Sequence, residues 1–121
     1  MLTLEKLVKI LENNRDAAKA RVKEFSIGSK SFAFNSQPAI MGVVNLSADS
    51  WYRESVVLSA DSAIERGKVL AAHGAHIIDI GAESTLANAA RADEIAQNSK
   101  LLPVIKELRA ANILVSVETY Q

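Results

Sequence analysis

Three short stretches of the chain place carboxylates, amides and hydroxyls directly behind apolar runs. The first carries Asn45, Ser47, Asp49 and Ser50. The second carries Asp79, Gly81, Glu83, Ser84 and Thr85, and the third Glu118, Thr119 and Tyr120. Such groups on one rim suit a polar ligand. A Ser or Asp behind a strand serves equally well as a helix cap or turn former. Asp79 differs from the others, because it stands inside the apolar run His76-Ile-Ile-Asp-Ile80. A carboxylate there is costly unless it is hydrogen-bonded or bound to something. It reads either as an acid that clamps neighbouring loop amides or as a direct ligand to a molecule bearing N–H groups. Trp51 and Tyr52 fall in the first polar stretch, where they either stack on a ligand or pack on a neighbouring loop. His73 and His76 flank Gly74 at the other end of the second run and have no companion cluster at metal spacing, so they read as structural or solvated.

Apolar strands alternating with amphipathic helices must carry these groups. Residues 3–22 have helical spacing, with Thr3 as N-cap, Leu4, Leu7, Val8 and Leu11 on one face, and Arg21 and Lys23 at the end. Phe25 to Phe34 alternates around Gly28-Ser29 as a β-hairpin does, and its three Phe residues suit a hydrophobic plug. Residues 39–44 are apolar on both faces, as in a strand buried on both sides. A helix over about 60–73 follows, with Ala60, Ala63, Ile64, Gly67, Leu70 and Ala71 inward, Ser59 as cap and Gly74 beyond its end. Residues 76–80 form the next strand. A helix over about 90–111 directs Ile95, Leu102, Ile105 and Leu108 inward, with a kink or break at Pro103. Residues 113–117 form the last strand. Strands and helices in this order imply right-handed βαβ units and a parallel sheet, and ligands of such sheets collect at the carboxyl ends of the strands.

Composition limits the partners. Lys and Arg total 14, as do Asp and Glu, so no basic field exists for nucleic acid or an anionic membrane. There are no cysteines, which excludes disulfides and zinc–thiolate sites. No signal peptide or membrane-length apolar run is evident, and a cytoplasmic location is expected.

Ile40-Met-Gly-Val-Val-Asn-Leu-Ser-Ala-Asp-Ser-Trp51 resembles the first signature of dihydropteroate synthases. Gly74-Ala-His-Ile-Ile-Asp-Ile-Gly-Ala-Glu-Ser-Thr85 resembles the second. Leu102-Pro-Val-Ile-Lys-Glu-Leu108 and Val115-Ser-Val-Glu-Thr-Tyr120 resemble two further family motifs, and the hairpin resembles the one that closes the family's barrel bottom. The resemblance implies the N-terminal part of a (β/α)8 barrel over residues 25–121, preceded by an added helix over residues 1–24. It implies binding of 6-hydroxymethyl-7,8-dihydropterin diphosphate and its condensation with p-aminobenzoate, assisted by magnesium. Asn45 then falls on the metal and diphosphate side, and Thr85 near the diphosphate. Asp79 and Glu118 fall on the pterin side as the catalytic acids, with Ser47 as a further substrate-binding residue.

The chain departs from the family pattern at several positions. Ala48 replaces a Pro, Tyr52-Arg-Glu-Ser55 replaces S-D-G-G, and Leu86 stands where an Arg contacts diphosphate. Ala82 replaces a Gly, and Glu118 is one methylene longer than the family's Asp. A folate-dependent methyltransferase-type barrel and a non-catalytic barrel fragment therefore stand as alternatives. Three strands are short of the eight a barrel needs, so residues 1–121 alone are expected to be inactive and to self-associate through exposed sheet edges. Asn45, Asp79, Thr85 and Glu118 are expected on one rim, with His73 near the opposite end.

Overall fold

A computed structural model describes residues 1–47, 56–57, 59–82 and 93–119. They fall into two compact units, Met1–Pro38 and Ala39–Gln121.

The first unit opens with α1, Leu4–Asn13, and Thr3 caps it by accepting from the Lys6 amide at 3.3 Å. The expected single helix over 3–22 is divided. α1 ends at Asn13, and α2 runs from Arg15 to Lys19. Asn14 between them has φ −131° and ψ 36°, outside the helical region. Its side-chain amide donates to the Ile10 carbonyl at 2.8 Å, so it competes for the acceptor that a continuing helix uses. Arg21 and Lys23 therefore lie beyond the helix end, where Lys19 is the basic residue of the last turn. The hairpin forms as expected, with β1, Phe25–Ile27, antiparallel to β2, Lys30–Phe32. Gly28 takes φ +60° in the turn, a conformation that L side chains resist. Phe25, Phe32 and Phe34 cluster as expected, with ring centroids 5.3–5.8 Å apart; Phe32 is buried, while Phe25 and Phe34 stay exposed. Asn35 holds the strand entry by accepting from the Val22 amide at 2.9 Å and donating to the Val22 carbonyl at 2.6 Å.

The second unit is a parallel sheet of order β3-β4-β5, with β3 at Met41–Asn45, β4 at Ile77–Gly81 and β5 at Val115–Glu118. Helices α3, Ala60–Ala72, and α4, Glu94–Ala110, connect the strands. Val44, Ile78, Ile80, Val104 and Leu108 are fully buried in the resulting core. Each contributes about 1.5–3 kcal/mol by leaving water. Ser59 caps α3 through the Ser62 amide, and Gly74 ends it at φ +102°. The inward stripe of α3 is the expected one, with Ala63 and Gly67 buried and Ala60, Ile64, Leu70 and Ala71 packed on the core.

Four expectations for this unit fail in whole or in part. In α4 the inward residues are Gln97, Leu101, Val104 and Leu108, whereas Ile95 is 81% and Leu102 48% exposed. Leu108 is inward as expected and Ile105 is partly buried against the core, so the expected stripe is shifted rather than replaced. A Cβ at Gly67 would lie 2.9 Å from both terminal methyls of Leu108, so the missing side chain on α3 is the socket that receives Leu108. Asp93 caps the helix through the Ala96 amide at 2.7 Å, later than the expected start near residue 90. The helix also runs through Pro103 without a break. Pro103 is exposed, so water can reach the carbonyl it leaves unpaired. Burial on both sides of the sheet is likewise incomplete among the described residues, with Met41 53% and Val43 38% exposed on the face away from the helices.

Leu108→Ala is expected to destabilise the unit by about 2–5 kcal/mol, and Gly67→Ala by about 1–3 kcal/mol from overpacking. In the double variant the new methyl occupies vacated space, so the combined loss should fall well short of the sum. Denaturant unfolding of the four proteins measures this, and strict additivity would contradict the socket.

Candidate functional site

Strand register sorts the polar residues. Asn45, Gly81 and Glu118 form one rung across the sheet, and Val43, Asp79 and Ser116 form the rung two residues earlier. Side chains two residues apart leave a strand on the same side. Asn45, Asp79, Ser116 and Glu118 therefore share the face opposite the buried Val44, Ile78 and Ile80. Asn45 and Glu118 close their strands at the carboxyl ends.

Asp79 is half-buried, and the Ser116 hydroxyl donates to its Oδ1 at 2.5 Å. This is a direct neighbour pair of the parallel ladder, so the acid is tied across strands and the clamp is a side-chain hydroxyl rather than loop amides. Short O–H···O⁻ bonds belong to the stronger class. Ser116 is thus a site residue that inspection of the motif alone passes over. Its signal is the alternation in Val115-Ser-Val-Glu118, where Ser116 has the same parity as Glu118.

Gly81 leaves an opening between the two end residues of its rung. A Cβ there would lie 3.2 Å from Asn45 Oδ1 and 3.7 Å from Glu118 Oε2. An amide oxygen and a carboxylate oxygen thus face the same space from opposite strands. The Leu46 amide donates to the Gly81 carbonyl at 2.7 Å, and the Val57 amide donates to the Asn45 carbonyl at 2.8 Å, which anchors this rung at both sides of β3. Ser47 is half-buried two residues beyond Asn45. Thr119 follows Glu118, and its hydroxyl donates to Oε1 of the buried Gln97 at 3.2 Å, tying the end of β5 to the first turn of α4. Gln97 is a second residue missed in the sequence, because it occupies an inward position of α4 that spacing assigned to a different stripe.

Both histidines lie at the other end of the unit. His73 caps the end of α3, and His76 precedes β4, where its Nδ1 accepts from the Ile40 amide at 3.1 Å. Among the described residues no group of three or more His, Cys, Asp and Glu is placed to hold a metal ion by itself. Thr85, Leu86, Trp51, Tyr52, Asp49, Ser50, Glu83 and Ser84 lie outside the described residues. Asn45, Asp79 and Glu118 are brought together as expected, and the placement of Thr85 with them lies outside what the structure describes.

The family profile described as pterin binding enzyme matches residues 41–121, two-thirds of the chain and the whole of the sheet unit beyond its first two residues. Over 80 residues the chain is 39% identical to the dihydropteroate synthase of Mycobacterium leprae, covering 66% of this chain and 28% of that protein. Over 98 residues it is 37% identical to the mitochondrial folate synthesis bifunctional protein of Arabidopsis thaliana, covering 78% of this chain and 18% of that one. The chain thus spans under a third of the length of these curated relatives. Among solved structures, Yersinia pestis dihydropteroate synthase in a sulfonamide complex superimposes with a TM-score of 0.73 at 27% identity, covering 82% of this chain and 36% of that one. The Xanthomonas albilineans synthase with 4-aminobenzoic acid gives 0.67 at 28% identity, covering 83% and 37%. Matching motifs, structural superposition and a profile over most of the chain lead to one assignment: the chain belongs to the pterin-binding enzyme family, the family of the dihydropteroate synthases, and carries the N-terminal part of its (β/α)8 barrel.

Proposed function

We propose that this protein binds 6-hydroxymethyl-7,8-dihydropterin diphosphate at the strand ends and contributes the pterin half of a dihydropteroate synthase site. The observation that carries this reading is the convergence of Asn45 and Glu118 around Gly81, two residues along the strands from the Ser116–Asp79 pair on the same face. In the reaction the bond between the pterin methylene carbon and the diphosphate oxygen breaks, and diphosphate leaves. The amine nitrogen of p-aminobenzoate forms the new C–N bond and loses a proton. Asp79, held as an acceptor by Ser116, suits the N–H edge of a pterin. A carboxylate fixed before the ligand arrives spends no freedom on binding it.

Magnesium fits the donor set. It takes oxygen ligands, one or two from protein and the rest from phosphate and water, and the Asn45 amide oxygen borders an opening that a side chain at position 81 would fill. When bound, the ion neutralises the leaving diphosphate. Substrate partners are the pterin diphosphate and p-aminobenzoate, and Ser47 and Thr85 are the hydroxyls we assign to the diphosphate end. We place the protein in the cytoplasm; among the described residues no helix is long and apolar enough to cross a membrane.

Binding tests the reading. Asp79→Asn should weaken pterin binding roughly ten- to a hundredfold, the cost of a lost charged hydrogen bond at about 1.5–3 kcal/mol. Ser116→Ala should weaken it about fivefold, on the order of 1 kcal/mol, and Ser116→Thr should restore most of that. Gly81→Ala should also weaken binding while leaving the unfolding midpoint close to wild type, since the added methyl meets site atoms and not the core. Fluorescence titration with the dihydropterin diphosphate measures all four, and a wild-type protein that binds no pterin would end the proposal.

We also propose self-association of the 121-residue chain through β3 and β5, the outer strands of the sheet. Sedimentation velocity should show dimers or larger species, and a single monomeric boundary would contradict this.

A further inference from the structure

The two N-terminal helices precede the residues matched by the family profile, which begins at residue 41. We infer that they form a surface for a second copy of this chain: α1 packs antiparallel on the α1–α2 elbow of the other copy, with Glu5 of each copy against Arg15 and Lys19 of its partner. This goes beyond the pterin site and is separate from the strand edges of β3 and β5.

Leu4, Leu7, Val8 and Leu11 form one stripe on α1. Leu4 is 77% and Leu11 56% exposed, and among the described residues neither α1 nor α2 contributes a buried one. An apolar stripe left in water forfeits the burial that ordinarily holds so short a helix. Val8 and Leu11 also line a groove of about 500 Å³, which Ala18 completes beyond the break at Asn14. Glu12, Arg15 and Lys19 are its polar walls.

Charge selects the occupant. At about 100° per residue, Glu5 and Glu12 flank the stripe, whereas Lys6 and Lys9 fall on the far side of the helix. An anionic lipid surface would meet those acids first, and the lysines would face away from it. A second copy fits instead. Along the two helices the flanking charge runs from acidic at Glu5 and Glu12 to basic at Arg15 and Lys19. An antiparallel pair sets Glu5 of each copy against the basic end of the other, and a parallel pair would set like charges together. A two-fold axis makes both contacts at once, with Leu4 and Leu7 of each copy entering the groove of the other.

The test uses the full chain and an exchange of charge. The sequence has no cysteine, so Lys9→Cys on the polar side takes a donor or an acceptor dye, and energy transfer between mixed chains reports association of α1 with α1. Glu5→Arg and Arg15→Glu should each weaken association roughly five- to tenfold, since the contact recurs twice across the axis and turns repulsive. An equimolar mixture of the two variants should recover association to within about threefold of wild type, because each then meets the opposite charge on its partner. A helix merely frayed by substitution gains nothing from mixing. Energy transfer unchanged in both single variants, or a mixture as weak as either variant alone, overturns the inference. So does a wild type that shows no energy transfer but binds through α1 to vesicles of phosphatidylcholine and phosphatidylserine, since lipid would then be the cover.

Discussion

Successive side chains of a strand leave the sheet on opposite sides, and β3, β4 and β5 are held in parallel register, so one residue of slip would exchange core and site. Val44, Ile78 and Ile80 go to the helices, while Asn45, Asp79, Gly81, Ser116 and Glu118 go to the opposite face. The same hydrophobic burial that fixes the register therefore fixes the distances between the chemical groups. Asp79 can stand inside an apolar strand because its neighbours in the chain are buried on one side and Ser116 meets it on the other.

Register alone does not hold the rim; the helices must sit at a defined rotation. The absent side chain at Gly67 receives Leu108, which lets α3 and α4 approach, and Gln97 lies on the same buried side of α4 as Leu108. Gln97 then meets Thr119, the residue after Glu118. Two small-residue positions thus serve opposite ends of the unit's function. Gly67 lets the helices approach, and Gly81 keeps space between site oxygens.

Much of this was legible in the sequence. Apolar runs of strand length, the Ser59 and Gly74 helix signals and the alternation around Gly28 gave the element order, because each is a local rule with a local cause. Asn45, Asp79 and Glu118 were legible as a set because all stand at or near strand ends. The inward face of α4 was legible in part, at Ile105 and Leu108. Ile95 and Leu102 are as apolar as Leu101 and Val104, and local spacing does not decide between them. The break at Asn14 turns on a single side-chain bond to Ile10, below the resolution of spacing rules. Ser116 was hidden for the same reason, since its partner lies 37 residues away in the chain.

In the proposed function, one face of the sheet, at the carboxyl ends of β3, β4 and β5, receives a pterin. Amide chemical-shift mapping of isotope-labelled protein during titration with 6-hydroxymethyl-7,8-dihydropterin diphosphate addresses it directly. The largest perturbations are expected at Asn45, Asp79, Gly81, Ser116 and Glu118, with the amides of His73, Gly74 and His76 unmoved. Perturbations centred on the histidine end of the strands, or on α1, would contradict it.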